Sequence, residues 1–179
     1  VAKKTTVTFD RRSGTGGSLN ATATYDAAMP TIDIPSLKGY TFTGYYSKAN
    51  GQGVKYYDEK GKSAKICDFY TPTVLYANWV ANSYTVKYNE NKPASASSAV
   101  TGTTPDSAHT YDKESALSTN GYSLTGWTFL GWARAKSAAS PDFSSGEEAE
   151  NLADKDGAIV TLYAVWQANS YTLTFDTVG

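Results

Sequence analysis

The stretch VLYANWVANSYTVKY, Val74–Tyr88, is written almost again as TLYAVWQANSYTLTF, Thr161–Phe175. A phrase of this length repeated within one chain signals an internal repeat, and that repeat constrains the architecture before any strand or helix is assigned. Other landmarks recur around it in the same order. The opening TVTFD at Thr6 returns as TVKYN at Thr85 and as TLTFD at Thr172. TYD at Thr24 returns at Thr110, and GYTFTGYY, Gly39–Tyr46, returns as GWTFLGWA, Gly126–Ala133. The opening phrases of the first two copies lie 79 residues apart, whereas the GYTF and LYA landmarks lie 87 apart. The eight extra residues fall before Gly126, mostly in the Ser-, Ala-, Thr- and Pro-rich run Asn89–His109. That composition is a surface loop's, where insertions cost little free energy. The expected domains are residues 5–82 and 83–170, with residues 171–179 as the first strand of a third copy. A start without an export signal and an end inside an opening phrase read as a piece of a longer protein.

Within each copy the hydrophobic period is two. Val7 and Phe9 alternate with threonines, and Leu75, Ala77 and Trp79 alternate with Tyr76 and Asn78, the pattern of strands with one buried face. Leu162, Ala164 and Trp166 repeat it. In GYTFTGYY, Tyr40 and Phe42 share one face, while Gly44 suits a bulge or a close backbone approach that lets Tyr45 change sides, and Gly131 stands at the same place before Trp132. Helix is scarce. Pro30 and Pro35 forbid an uninterrupted helix over Ala27–Gly39, leaving room for one turn at Asp26–Met29. The best helical signal is SSGEEAENLADKDG, with Ser145 and Glu148 in capping-box spacing and Gly157 as a stop. VANS and QANS read as short linkers between rigid repeats.

Composition narrows the function classes. Of 179 residues, 40% are hydrophobic and 18% charged, which suits a folded chain, and 14 tyrosines favour half-buried pleated surfaces. No window approaches the roughly 18 continuous apolar residues of a membrane helix, so no direct membrane insertion is expected of this stretch. Residues 1–82 hold ten Lys and Arg against six Asp and Glu, and residues 83–179 hold six against eleven. A basic footprint that reverses between copies disfavours nucleic acid as a partner.

No motif for catalysis survives inspection. Cys67 is the sole cysteine and His109 the sole histidine, in different copies. DKDG, Asp154–Gly157, lacks the spaced acidic ligands of a calcium loop. Glu147, Glu148 and Glu150 read as a solvated face, and SGTGG, Ser13–Gly17, as a hairpin without the Lys-Ser/Thr of a phosphate loop. An isopeptide bond involving Lys87 and Asn89 is flagged, although the two share a strand face. No catalytic residue, metal ligand or cofactor is expected. Tyrosines outside the alternation, namely Tyr56, Tyr57, Tyr70 and Tyr122, are the candidate ligand-contact aromatics.

The ordered phrases VTFD, TYD, GYTFTGYY and LYANW resemble the Listeria-Bacteroides repeat, also called the internalin B-type repeat, found in tandem in large bacterial surface proteins. Tyr45 stands where that family usually has Trp, and RRSGTGG is a looser version of its Asn-Gly-Gly turn. The resemblance implies an α+β, predominantly β fold, with tandem β-grasp (ubiquitin-like) domains and little helix. It also implies an extracellular place on the bacterial cell surface and no catalytic role. The expected work is that of a spacer and protein–protein adhesion module meeting other surface or host proteins. The alternative is a carbohydrate-binding module that stacks glycans on exposed aromatics.

Overall fold

A computed structural model describes residues 1–175. The chain divides into two compact units, Val1–Ser83 with Asp154–Asp156, and Tyr84–Ala153 with the chain from Gly157 onward. The first unit contains β1 (Lys4–Asp10), β2 (Asn20–Thr24), β3 (Tyr40–Tyr46), β4 (Lys55–Tyr57) and β5 (Thr73–Ala81). These form one sheet in the order β2-β1-β5-β3-β4. β1 runs antiparallel to β2 and parallel to β5, while β3 is antiparallel to both β5 and β4. A parallel pair cannot be closed by a hairpin, so the whole chain between β1 and β5 acts as the crossover.

The second unit contains β6 (Ser83–Asn89), β7 (Thr101–Gly102), β8 (Ser107–Thr110), β9 (Ser115–Ala116), β10 (Tyr122–Ser123), β11 (Trp127–Ala133), β12 (Glu148–Ala149) and β13 (Ala158–Ala168). Its main sheet has the order β11-β13-β6-β8, with β13 parallel to β6. The register repeats that of the first unit. Phe9 faces Leu75 as Tyr88 faces Leu162, and Phe42 faces Trp79 as Phe129 faces Trp166.

No helix occurs among the described residues. The helical part of the expected α+β class therefore has no element here, and the architecture is all-strand. Ser145–Gly157 is not a helix: Glu148 and Ala149 form β12 and pair with β9. The capping interaction that does form is one residue earlier, where the Ser144 N–H donates to Glu147 Oε2 (2.6 Å), and it closes a turn. In the first unit the extended segment around Pro30 covers the sheet with Met29 and Ile32, side chains that a helix would otherwise supply.

Alternation buries Val7 and Phe9 of β1 and Leu75 and Ala77 of β5 on one face. A run of four rings then lines the core. In the first unit Phe9, Tyr45, Phe42 and Trp79 follow one another with centroids 4.6, 5.2 and 5.4 Å apart. In the second, Tyr88, Trp132, Phe129 and Trp166 do so at 4.7, 4.8 and 5.6 Å. Phe129 and both closing tryptophans are partly buried, so Phe129 is not the fully buried match of Phe42. The ring order depends on the bulge between Phe42 and Gly44, and on its counterpart between Phe129 and Gly131. Gly44 has φ 132°, and a Cβ there would lie 2.2 Å from the Tyr57 carbonyl oxygen.

Each copy is also tied at both ends of its closing strand. The Trp79 indole N–H donates to Arg11 O (3.0 Å), and the Trp166 indole N–H donates to Glu90 O (2.8 Å). The turn beyond each opening strand is held by Asp10 Oδ1, which accepts from Arg12 N–H, and by Asn89 Oδ1, which accepts from Asn91 N–H. At the other end, Asn82 N–H donates to Gly39 O and Asn169 N–H to Gly126 O. Their side-chain oxygens accept from Thr41 and Thr128. VANS and QANS are therefore not linkers: Val80, Ala81, Gln167 and Ala168 lie in strands, and each Asn pins its own closing strand. Tyr171–Phe175 forms no strand, and its three large side chains are exposed. Of the expected third-copy strand, residues 176–179 lie outside the described residues.

Gly44→Ala combines a left-handed φ with a backbone clash, whereas Gly126 has φ 80° and nothing within 4 Å of an added Cβ. Gly44→Ala should cost more than ~3 kcal/mol, and Gly126→Ala about 1–2 kcal/mol. Urea unfolding measures both, and equal losses would contradict the bulge's role.

Candidate functional site

The four candidate tyrosines are placed differently. β4 is covered on both sides, so consecutive residues Tyr56 and Tyr57 are both buried, at 6% and 0% exposure. Tyr56 packs on Phe69, its hydroxyl donates to Asp68, and burial followed by that hydrogen bond pushes its pKa up. Tyr57 packs against Phe9 and Tyr45, and burial raises its pKa as well. Neither presents a ring face to solvent. Tyr122 is half-buried against Trp132, with its hydroxyl donating to Tyr88 O (2.8 Å). Tyr70 alone is a surface ring. It meets exposed Tyr25 edge-on at 6.1 Å, and Lys3 Nζ lies 5.1 Å from its centroid.

Among the described residues, the first unit leaves three hydroxyls, on Thr5, Tyr45 and Tyr57, buried without hydrogen-bond partners. Burial pushes the Tyr45 phenol up to about 12, although nearby Arg11 favours the phenolate. Trp132, at the matching place in the second unit, finds Ser118 O for its indole N–H at 3.3 Å. Cys67 is fully buried, with its thiol donating to Phe69 O, and His109 belongs to the other unit.

The second unit contains a linked polar chain instead. His109 Nε2 and Ser107 Oγ are 2.8 Å apart, and Ser107 Oγ and Tyr88 OH 2.7 Å apart. Tyr88 OH also accepts from Ser118 N–H (2.7 Å). His109 stacks on Tyr84 at 5.4 Å, and its Nδ1 has no partner. A serine beside a histidine can serve as a nucleophile and base, but this imidazole lacks the orienting group that such chemistry uses. Burial lowers the His109 pKa, against a smaller opposing pull from Glu148, so the neutral ring is favoured.

The isopeptide idea loses both partners. Lys87 is half-exposed, with Nζ 3.7 Å from Asp106 Oδ2, while Asn89 caps its own turn. Glu147 closes a turn and Glu148 lies in β12, so the glutamates form no facing pair. Asp156 and Gly157 form the turn before β13.

Two hollows border the closing tryptophans. The one at Trp79 is about 340 Å³ and is lined partly by Phe42, Glu59 and Lys155. The one at Trp166 is about 600 Å³, open on one side, with Lys92 and Lys136 in its walls and Val165 beside Trp166. By sequence, Trp166 is a strand residue of the buried face and Asn89–His109 a tolerated insertion. The departure from the first copy's loop length was the available signal for this groove.

The two units are thus all-strand, tandemly repeated domains with the same register and the same end ties. Residues 6–77 match the family model of the Listeria-Bacteroides repeat domain. A protein of Evansella cellulosilytica named as a Gly-rich membrane protein is 29% identical over 166 residues, covering 90% of this chain and 17% of that protein. A second protein of that organism, named as a membrane protein, is 28% identical over 175 residues, covering 94% of this chain and 23% of that protein. The chain therefore spans about a fifth of the length of these relatives. No solved structure matches it.

Tyr45→Phe and Tyr57→Phe remove hydroxyls that are buried without partners, so each should leave stability unchanged or raise it by up to ~1 kcal/mol. A loss above ~1 kcal/mol in urea unfolding would mean that the hydroxyls are satisfied. His109 gives a pH dependence. Its folded pKa lies below the unfolded value of 6.5, so the unfolded chain takes up the proton first as pH falls. Stability of the second unit should decline as pH drops through about 6.5 and level off below the folded pKa. His109→Ala, which installs the residue found at Ala23, should flatten that decline in thermal melts; an unchanged slope would assign it to other groups.

Proposed function

We propose that the chain is a non-catalytic tandem-repeat region of a bacterial cell-surface protein, serving outside the cell as a spacer and protein–protein adhesion module. The observation that carries this is the repetition itself. The second unit rebuilds the register, the four-ring run and both end ties of the first, including the indole bonds at 3.0 and 2.8 Å. Repetition of one unit is how extended surfaces are assembled from small stable parts, which supports the spacer reading. The family match over residues 6–77 and the relatives named as membrane proteins support placement in a surface protein.

On this reading the repeats are residues 5–82 and 83–170, a third copy opens at residue 171, and partners are other surface or host proteins. No cofactor takes part. The strand order β2-β1-β5-β3-β4, with its central parallel pair, supports a β-grasp layout in which an extended crossover replaces the helix. The second reading, a carbohydrate-binding module, draws on the exposed Tyr25–Tyr70 pair beside Lys3.

Stretching the chain between a bead and a surface tests the spacer. Two separate unfolding events are expected, each releasing on the order of 250 Å from about 80 residues of extended chain. One event releasing the whole length would contradict independent beads. Antibody against the chain should label intact cells of the producing bacterium, and labelling only after lysis would sink the surface assignment.

A further inference from the structure

We propose that the second unit carries a binding groove for an acidic polysaccharide, built on Trp166 and flanked by Lys92 and Lys136. The inference does not depend on the spacer reading. In the first unit the corner that matches this groove is closed by Gly14 and Gly51, the hollow at Trp79 lying instead toward Tyr40, Phe42 and Glu59. A Cβ on Gly14 would lie 2.6 Å from Trp79 Cζ2, and one on Gly51 would lie 3.0 Å from the Asn78 side chain. In the second unit Val165 replaces Asn78, and the longer loop after β6 leaves about 600 Å³ open beside Trp166. Asn91 braces the groove, its side-chain amide donating to Lys136 O (3.1 Å) and Ala164 O (2.9 Å).

The groove's chemistry is one-sided. Residues 83–179 hold eleven carboxylates and only six Lys and Arg, yet two of those six line the groove and no carboxylate does among the described residues. Lysine ammonium groups donate and cannot accept, and the Asn91 amide N–H groups are already engaged. The Trp166 indole N–H is engaged at Glu90 O, so the ring offers the groove only apolar surface. A neutral sugar would find side-chain acceptors only in the Ser137 hydroxyl and the Asn91 side-chain oxygen, and would bring no negative charge to the two ammonium groups. Its complement is a molecule with flat C–H faces and regularly spaced negative charge, which describes a chain of uronic acids. One pyranose face would rest on the indole while ring carboxylates meet the two ammonium groups.

An acidic peptide fits less well. β13, the strand beneath the groove, already has β11 on one edge and β6 on the other. A peptide would find no free strand edge for main-chain pairing, the usual source of affinity for an extended segment.

The test titrates the full chain with tetragalacturonate at low ionic strength while following the Trp166 indole N–H signal by NMR. Neutral galactose tetramer and hexaglutamate are the controls. Lys92 and Lys136 are both exposed, so Lys92→Ala combined with Lys136→Ala should keep the native spectrum. Tetragalacturonate should shift the Trp166 signal, bind more weakly as salt is added, and lose about tenfold in affinity in the double variant. The neutral tetramer should bind far more weakly. No shift at Trp166, equal binding of the neutral tetramer, unchanged affinity in the double variant, or hexaglutamate binding as tightly would each overturn the proposal, the last in favour of a peptide.

Discussion

Each unit is held closed by lateral pairing of its first and last strands, β1 with β5 and β6 with β13. Parallel strands cannot be joined by a tight turn, so this contact is long-range and gains stability only after the intervening chain is ordered. What secures it is a side chain. The indole of the closing tryptophan reaches past its neighbouring strand and donates to a carbonyl two residues beyond the aromatic residue of the opening strand, Arg11 O in one unit and Glu90 O in the other. The same ring ends the four-ring run that fills the core, so one residue joins hydrophobic packing to strand register.

That dependence explains what the two copies keep and what they vary. The bulge glycines, the closing tryptophans and the pinning asparagines stand at matching places in both. The interior side chains differ: Tyr45 becomes Trp132 and Ala23 becomes His109. Larger volume at one position is met by changes nearby: Tyr57 lies opposite Tyr45 in the first unit, whereas half-buried Phe143, without a hydroxyl, lies opposite Trp132 in the second. Such exchanges suit a core in which total volume matters more than individual identity. Polar groups shift with them. The first unit leaves two tyrosine hydroxyls unpartnered, while the second links Tyr88, Ser107 and His109.

Much of the fold was legible because its determinants are local or repeated. Alternation marked Val7, Phe9, Leu75 and Ala77 as interior, and Gly44 marked a bulge because only glycine accepts that φ so close to another backbone. Other features depend on contacts made across the fold. Tyr56 and Tyr57 read as surface candidates because period two cannot describe a strand covered on both sides. Ser145–Gly157 had capping spacing for a helix, but pairing of Glu148 and Ala149 with β9 prevailed over so weak a local preference. Asn82 and Asn169 looked like linker residues because their partners, Gly39 with Thr41 and Gly126 with Thr128, lie more than 40 positions away. The groove at Trp166 was visible only as a loop-length difference, since its walls come from segments distant in sequence.

Hydrogen exchange at the tryptophan indoles tests the closing bond most directly. If the Trp79 and Trp166 indole N–H groups secure their units, each should exchange only with global opening of its own unit, at a free energy matching that unit's unfolding in urea. Exchange near the rate of a free indole, while backbone amides of Val7 and Val86 stay protected, would show that the strands hold without the tryptophan bond.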